Sequence, residues 1–169
     1  MKILSVVFVL SLLTISSCLK ETPLPCTQEP DSKLWTTLNQ TQLQADIVAI
    51  DDYLASRSIT AIEHESGLRY VITQAGTVGT TPCLEKLIAV TYSGSLLTTG
   101  VVFDSSVDPI AFQLNSLIAG WQIGFLKLNK GTKATLYIPS GLAYGANGSP
   151  PKIPTNANLI FEVELMDFQ

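Results

Sequence analysis

Charged side chains are few in this sequence of 169 residues: 14% of the total, against 46% hydrophobic. Ten Lys and Arg stand against fourteen Asp and Glu, the net charge is −4, and no basic run occurs. A chain so short of clustered cations has no footprint for a polyanion, which excludes nucleic acid as a partner. Histidine is scarcer still. His64 is the only one, set between Glu63 and Glu65, with no nucleophile or second ligand near it in sequence, and it reads as a surface-loop residue. The adjacent carboxylates Asp51 and Asp52 would point in different directions from a helix and cannot converge on a substrate, so they read as a solvated face. The stretch from Ala119 to Gly148 carries no Ser/His/Asp set, no metal-ligand cluster and no phosphate loop. No metal and no cofactor are expected. What that stretch offers is an apolar floor with one polar tip at Tyr144, which suits a non-polar ligand.

A hydrophobic run long enough to span a membrane is also lacking. The longest, Ile3 to Ile15, is interrupted by Ser5, Ser11 and Thr14. As a helix it would reach roughly 20 Å at ~1.5 Å per residue, against ~30 Å of hydrocarbon. With Lys2 before it, the run fits the apolar core of a signal peptide over residues 1–17. It ends in Ile15-Ser16-Ser17-Cys18, which resembles a bacterial lipobox, so acylation of Cys18 and anchoring to a membrane are expected. The alternative is an ordinary secretory signal with Cys18 incidental. Export would place the other two cysteines, Cys26 and Cys83, in an oxidising space. They would form either a bridge tying the N-terminal arm to the main domain or two separate thiols.

Residues 18–32, rich in Pro, Thr and Glu, read as an extended tether. Over 33–57 the pattern changes: Leu43, Ile47, Ile50 and Leu54 line one face of a helix of roughly six turns. Asp46, Asp51 and Asp52 lie off that stripe. Its cover is either the chain's own domain or a second copy, which would make a homodimer through this helix. From Gly67 the pattern turns to strands: Leu68–Ile72, Leu87–Tyr92, Val101–Phe103, Ile110–Leu114, Lys133–Pro139 and Leu159–Leu165. Between the fourth and fifth, Asn115-Ser116 offers an N-cap to a short helix in which Leu117, Ile118 and Trp121 share a face, weakened by Gly120 and Gly124. Many strands and one short helix predict an α+β fold, an antiparallel sheet curled over that helix, with residues 58–169 as the domain.

Eight fragments then fall in register: Tyr92-x-Gly94, Gly100-x-x-Phe103-Asp104-Ser105-Ser106, Phe112-x-Leu114, Ile118-x-Gly120-Trp121-x-x-Gly124, Ile138-Pro139, Leu142-Ala143-Tyr144-Gly145, Ile153-Pro154 and Phe161-Glu162-Val163-Glu164-Leu165. Together they resemble the FKBP-type peptidyl-prolyl cis–trans isomerases, over roughly Gly67 to Phe168. The export signal and helical extension resemble the form found in bacterial envelopes. The resemblance implies a half-barrel sheet wrapped on the short helix. It also implies a pocket walled by Tyr92, Phe103, Leu117, Ile118, Ile153 and Phe161, with Ile110 at its rim. Trp121 would be the floor, Tyr144 and the Ile118 N–H would bind ligand carbonyls, and Asp104 would line the polar edge. The partners implied are proline-containing polypeptides, and the role is folding of exported proteins. A weakly active or non-catalytic peptide-binding chaperone is the alternative.

The sequence departs from that family at four places. Ile110 stands where an aromatic is common, Ser149 where a His is, and Lys152 where an aliphatic is. The segment Ser106-Val107-Asp108-Pro109 is short and lacks the Arg that usually pairs with the Asp at 104. Asp104 then needs another donor, for which Tyr92 is the candidate.

Overall fold

The computed structural model describes residues 26–169. The expected signal peptide over 1–17, Cys18 and the start of the 18–32 tether lie outside them. Among the described residues no helix is long and apolar enough to cross a membrane.

Alternation builds the sheet. Six antiparallel strands, β1 (Ile62–Glu63), β2 (Arg69–Gln74), β3 (Leu87–Leu96), β4 (Val102–Gln113), β5 (Lys133–Ile138) and β6 (Leu159–Phe168), lie in the order β1-β2-β5-β6-β3-β4. In β6, Leu159, Phe161, Val163 and Leu165 are buried on one face while Glu162 and Glu164 turn away, as a two-residue period requires. The inner face closes on a short helix, α3 (Ala119–Phe125). Its glycines allow the approach. A Cβ on Gly124 would stand 2.8 Å from Leu136 Cδ1, and one on Gly120 would overlap the Ile138 side chain, so only glycine lets this helix lie so close on β5.

The short loop expected over Ser106–Pro109 is not a loop. Val102–Phe103 and Ile110–Gln113 belong to one long strand, β4, interrupted by a bulge. Tyr92 pairs with Ser106 and Val90 with Ile110, so Val107, Asp108 and Pro109 together oppose the single residue Thr91. Pro109 has no N–H to give to a ladder and is accommodated at such an irregularity. The helix N-cap also differs from expectation. Leu114–Ser116 forms a 3-10 turn in which Ser116 Oγ donates to Gln113 O at 2.7 Å, and α3 starts three residues later, after the extended Ile118.

The single six-turn helix expected over Lys33–Arg57 is two helices, α1 (Lys33–Thr36) and α2 (Gln40–Ser56). Asn39 breaks it: its backbone is extended and its Oδ1 accepts from Gln42 N at 3.2 Å, an N-cap for α2. Ile50 and Leu54 pack with Tyr137, Ile160 and Leu97 on the outer face of the sheet. Ile47 and Leu43 press on Gly67, whose φ of +91° and missing Cβ both suit the close passage. The stripe is therefore covered by the chain's own domain, and a dimer through it would require α2 to leave its own sheet. A disulfide joins Cys26 to Cys83, across 57 positions, and Leu84 N donates to Thr27 O at 2.9 Å beside it.

Asp51, read as part of a solvated face, and Asp46, off the apolar stripe, both have partners. Asp51 is held by Arg69, with Nε at 2.9 Å and Nη2 at 3.1 Å from its two oxygens. Asp46 is buried at 3% exposure. His64 is half-buried, with its ring edge-on to Trp35 at 5.6 Å between centroids.

Candidate functional site

Three strands and α3 bring aromatic residues to one end of the inner face. Tyr92 comes from β3, Phe103 and Phe112 from β4, Phe161 from β6, and Trp121 from α3 itself. The Trp121 ring is edge-on to Tyr92 at 5.4 Å and to Phe161 at 5.1 Å, and it meets Phe125 at 5.1 Å. Edge-to-face rings of this kind attract through their quadrupoles and do not collapse into a stack. Rings held upright leave a gap between them. The result is a hollow of about 160 Å³ lined by Tyr92, Phe103, Asp104, Phe112, Leu117, Ile118, Trp121, Tyr144 and Phe161. That is below the ~300–1,000 Å³ of pockets that engulf a drug-sized molecule, and it suits one residue of a chain. A larger depression of about 460 Å³ on the outer face is lined mainly by Thr, Ser and charged side chains and lacks such a wall.

Gly94 is part of the construction. A Cβ there would stand 2.6 Å from Phe161 Cε1 and 2.7 Å from Phe103 Cζ, so the two rings occupy the space that any other residue would fill.

The polar groups are gathered at the rim. Tyr92 donates its hydroxyl to Asp104 Oδ2 at 2.7 Å, so the aspartate takes its donor from the tyrosine in the absence of an arginine. Burial, then the hydrogen bond and charge of Asp104, push the Tyr92 phenol up to about 12. Burial, then the charge of Asp104, also raise the Tyr144 phenol above its ordinary 10. Both stay protonated donors at any physiological pH. Tyr144 is 39% exposed, and among the described residues neither its hydroxyl nor the Ile118 N–H has a partner within the chain. The floor is drier. Trp121 is 5% exposed, and its buried Nε1 has no acceptor.

The structure brings together Tyr92, Phe103, Asp104, Leu117, Ile118, Trp121, Tyr144 and Phe161. It leaves two expected residues out of the lining. Ile110 sits beside the bulge of β4 and is 39% exposed, whereas Ile153 is 4% exposed in the core, paired with Ser149. The place expected for Ile110 is taken by Phe112, two residues on along the same face, a shift that alternation in Ile110, Phe112 and Leu114 permits. Ser149 and Lys152 are exposed and do not line the hollow.

The sequence model of the FKBP-type peptidyl-prolyl cis-trans isomerases matches residues 79–166. The chain belongs to this family. It is 44% identical over 104 residues to the probable FKBP-type peptidyl-prolyl cis-trans isomerase FkpA of Neisseria meningitidis serogroup B, covering 60% of this chain and 38% of that protein. It is 40% identical over 119 residues to FK506-binding protein 2 of Candida glabrata, covering 64% and 86%. Among solved structures it is similar to a peptidyl-prolyl cis-trans isomerase from Pseudomonas syringae, with a TM-score of 0.65 and 32% identity over 75% of this chain and 95% of that one. The chain thus spans well under half the length of the FkpA relative, 38%. The aromatic hollow, the Tyr92–Asp104 pair and the Tyr144 turn all fall inside the matched residues of the FKBP family.

Proposed function

We propose that the chain is a peptidyl-prolyl cis–trans isomerase of the cell envelope that assists the folding of exported, proline-containing polypeptides. One observation supports it above the others: a hollow the size of a single residue, floored by Trp121 and rimmed by unpartnered donors. Rotation about a peptide bond is opposed by ~18–20 kcal/mol because resonance stiffens the C–N bond. For a bond to proline the two end states are close in energy, so the barrier alone makes exchange slow. Midway through rotation the resonance is lost and the carbonyl oxygen is less negative than in the planar amide. A dry aromatic cavity disfavours the planar form relative to the twisted one. The prolyl ring would rest on Trp121 between Tyr92, Phe103, Phe112 and Phe161. The Tyr144 hydroxyl and the Ile118 N–H would bind carbonyls of neighbouring residues and hold the chain while the imide turns. Only interactions stronger at the twisted state accelerate the step. No nucleophile takes part, in keeping with the residues present.

Residues 58–169 serve in this reading as the isomerase domain and 33–57 as an arm docked on it. Residues 1–17 are the export signal, Cys18 the lipid anchor and 18–32 the tether, each acyl CH₂ contributing about 0.8 kcal/mol to membrane binding. A protease-coupled assay on Xaa-Pro peptides tests the activity: isomerisation should run well above the buffer rate. Folded protein that binds such peptides without accelerating exchange would replace the isomerase with a peptide-binding chaperone.

A further inference from the structure

The turn that carries Tyr144 is gripped by a carboxylate from outside the family's own segment. Asp46 lies on α2, beyond the matched residues 79–166. Its Oδ2 accepts from Ser140 N at 3.0 Å and from Ser140 Oγ, and its Oδ1 from Gln42 Nε2 at 2.8 Å. Asn158 closes the cluster, with Oδ1 2.9 Å from the same Ser140 N and Nδ2 3.5 Å from the main-chain oxygen of Asp46. All of these donors are neutral, and no Lys or Arg pairs with Asp46 among the described residues. Burying a carboxylate without a cation is unfavourable unless hydrogen bonds satisfy it. An apolar residue on the same face of the helix would fill the space without that cost, so packing alone does not account for the choice.

Ser140 accounts for it. It opens the turn Ser140–Leu142, four residues ahead of Tyr144. Leu38, also from the arm, touches the next residue: a Cβ on Gly141 would be 3.0 Å from Leu38 Cδ1. On the far side of Tyr144 the chain is held again, where Gly145 O accepts from Asn156 N at 2.9 Å. Tyr144 therefore hangs between two fixed points, one held by the domain alone and the other shared between Asn158 and the arm's Asp46.

We infer that Asp46 is a positioning residue: the N-terminal arm, through this carboxylate, sets where the Tyr144 hydroxyl stands over the hollow. The inference rests on the isomerase reading for its catalytic consequence, though not for its structural one. Asp46→Ala should lower kcat/KM by about tenfold, the effect of misplacing one binding group. Asp46→Asn should recover most of the loss, because its remaining carbonyl oxygen can still accept from Ser140. In a Tyr144→Phe background the same Asp46→Ala change should cost less than about twofold, since coupled residues are not additive. Equal losses in both backgrounds would mean general destabilisation and would overturn the inference. Where Asp46→Ala does not remain folded, Ser140→Ala carries the same cycle with a smaller expected loss. Amide hydrogen exchange supplies a readout free of catalysis: amides 140–146 should exchange faster in Asp46→Ala while those of β3 do not. Unchanged exchange there overturns the inference even if the chain proves to be no isomerase, and faster exchange in an inactive protein would sustain the positioning while the isomerase reading falls.

Discussion

Two helices cover this sheet from opposite faces, and they do it differently. On the outer face the seventeen residues of α2 present an aliphatic stripe to Tyr137, Ile160 and Leu97. On the inner face the seven residues of α3 touch β5 through two glycines and present Trp121 to four other aromatic rings. Branched aliphatic side chains deform around one another and fill space to crystal-like density. Flat rings that prefer edge-on contact cannot all do so at once, and the remainder is the hollow. Beneath α2 the sheet is thus sealed, and beside α3 it keeps an aromatic hollow. A sealed face stabilises; an open one can bind.

That contrast can be broken most forcefully on the sealed side. Ile50 of α2 is fully buried against the sheet, and Ile50→Ala should destabilise the protein by about 3 kcal/mol, the usual consequence of an aliphatic cavity. The midpoint of urea unfolding would show it. At low denaturant, where the variant is still folded, kcat/KM should stay within about twofold of the parent, because Ile50 packs on the outer face and does not line the hollow. On the open side the order reverses. Trp121→Leu should lower kcat/KM by on the order of three- to tenfold through loss of the flat floor. Its effect on the unfolding midpoint should be smaller than that of Ile50→Ala, because a Leu fills part of the space and removes a buried N–H that has no acceptor. If both variants lost stability and activity in the same proportion, the two faces would not be separate in function.

How far the sequence carried each face differs as well. The strands and the short helix were legible, because alternation in Leu159–Leu165 and the spacing of Leu117, Ile118 and Trp121 record which side of an element faces the core; the lining of the pocket came from the family resemblance. The bulge was not: Ser106-Val107-Asp108-Pro109 has the composition of a loop, and only the pairing of Tyr92 with Ser106 and Val90 with Ile110 shows one strand passing through it. Ile110 and Ile153 were expected from the family resemblance alone, and Phe112, on the same face as Ile110, lines the hollow instead. For Ile153 no local pattern offers a check, since a residue in a turn has no period to say which way it points. On the outer face the break comes at Asn39, an Asn ahead of a helical run, where the apolar pattern on either side continues as if through one helix. Asp46 and Asp51 were hidden more deeply. A carboxylate off the apolar stripe looks solvated until a partner arrives from elsewhere in the chain, here Ser140 and Arg69, and no local pattern announces such a pairing.

The smallest expected effect separates the two sides by pH. In the hollow both phenols are raised, to about 12 for Tyr92 and above 10 for Tyr144, so neither loses its proton near neutrality. A group that titrates on the acid side of neutrality lies where the arm meets the domain. His64 Nδ1 accepts from Ser66 N at 3.2 Å and faces Ser66 Oγ at 3.0 Å, while Trp35 of α1 covers the ring. Burial lowers its pKa below 6.5, the charge of Lys127 adds to this, and Glu65 and Glu29 oppose it. A lowered folded value means that the unfolded chain takes up the proton first. The contribution to stability is then complete above about pH 6.5 and is lost as pH falls through the folded value. Protonation would also end the Ser66 N–H bond, since the nitrogen could no longer accept. The carboxylates add their own acid dependence, so the informative quantity is a difference between two proteins. Asn at this position offers Oδ1 where Nδ1 stood but does not titrate. His64→Asn should therefore lose less stability than the parent between pH 7.5 and 5, by chemical denaturation at each pH. Identical losses in the two proteins would remove His64 from the seam between arm and domain as a source of acid sensitivity.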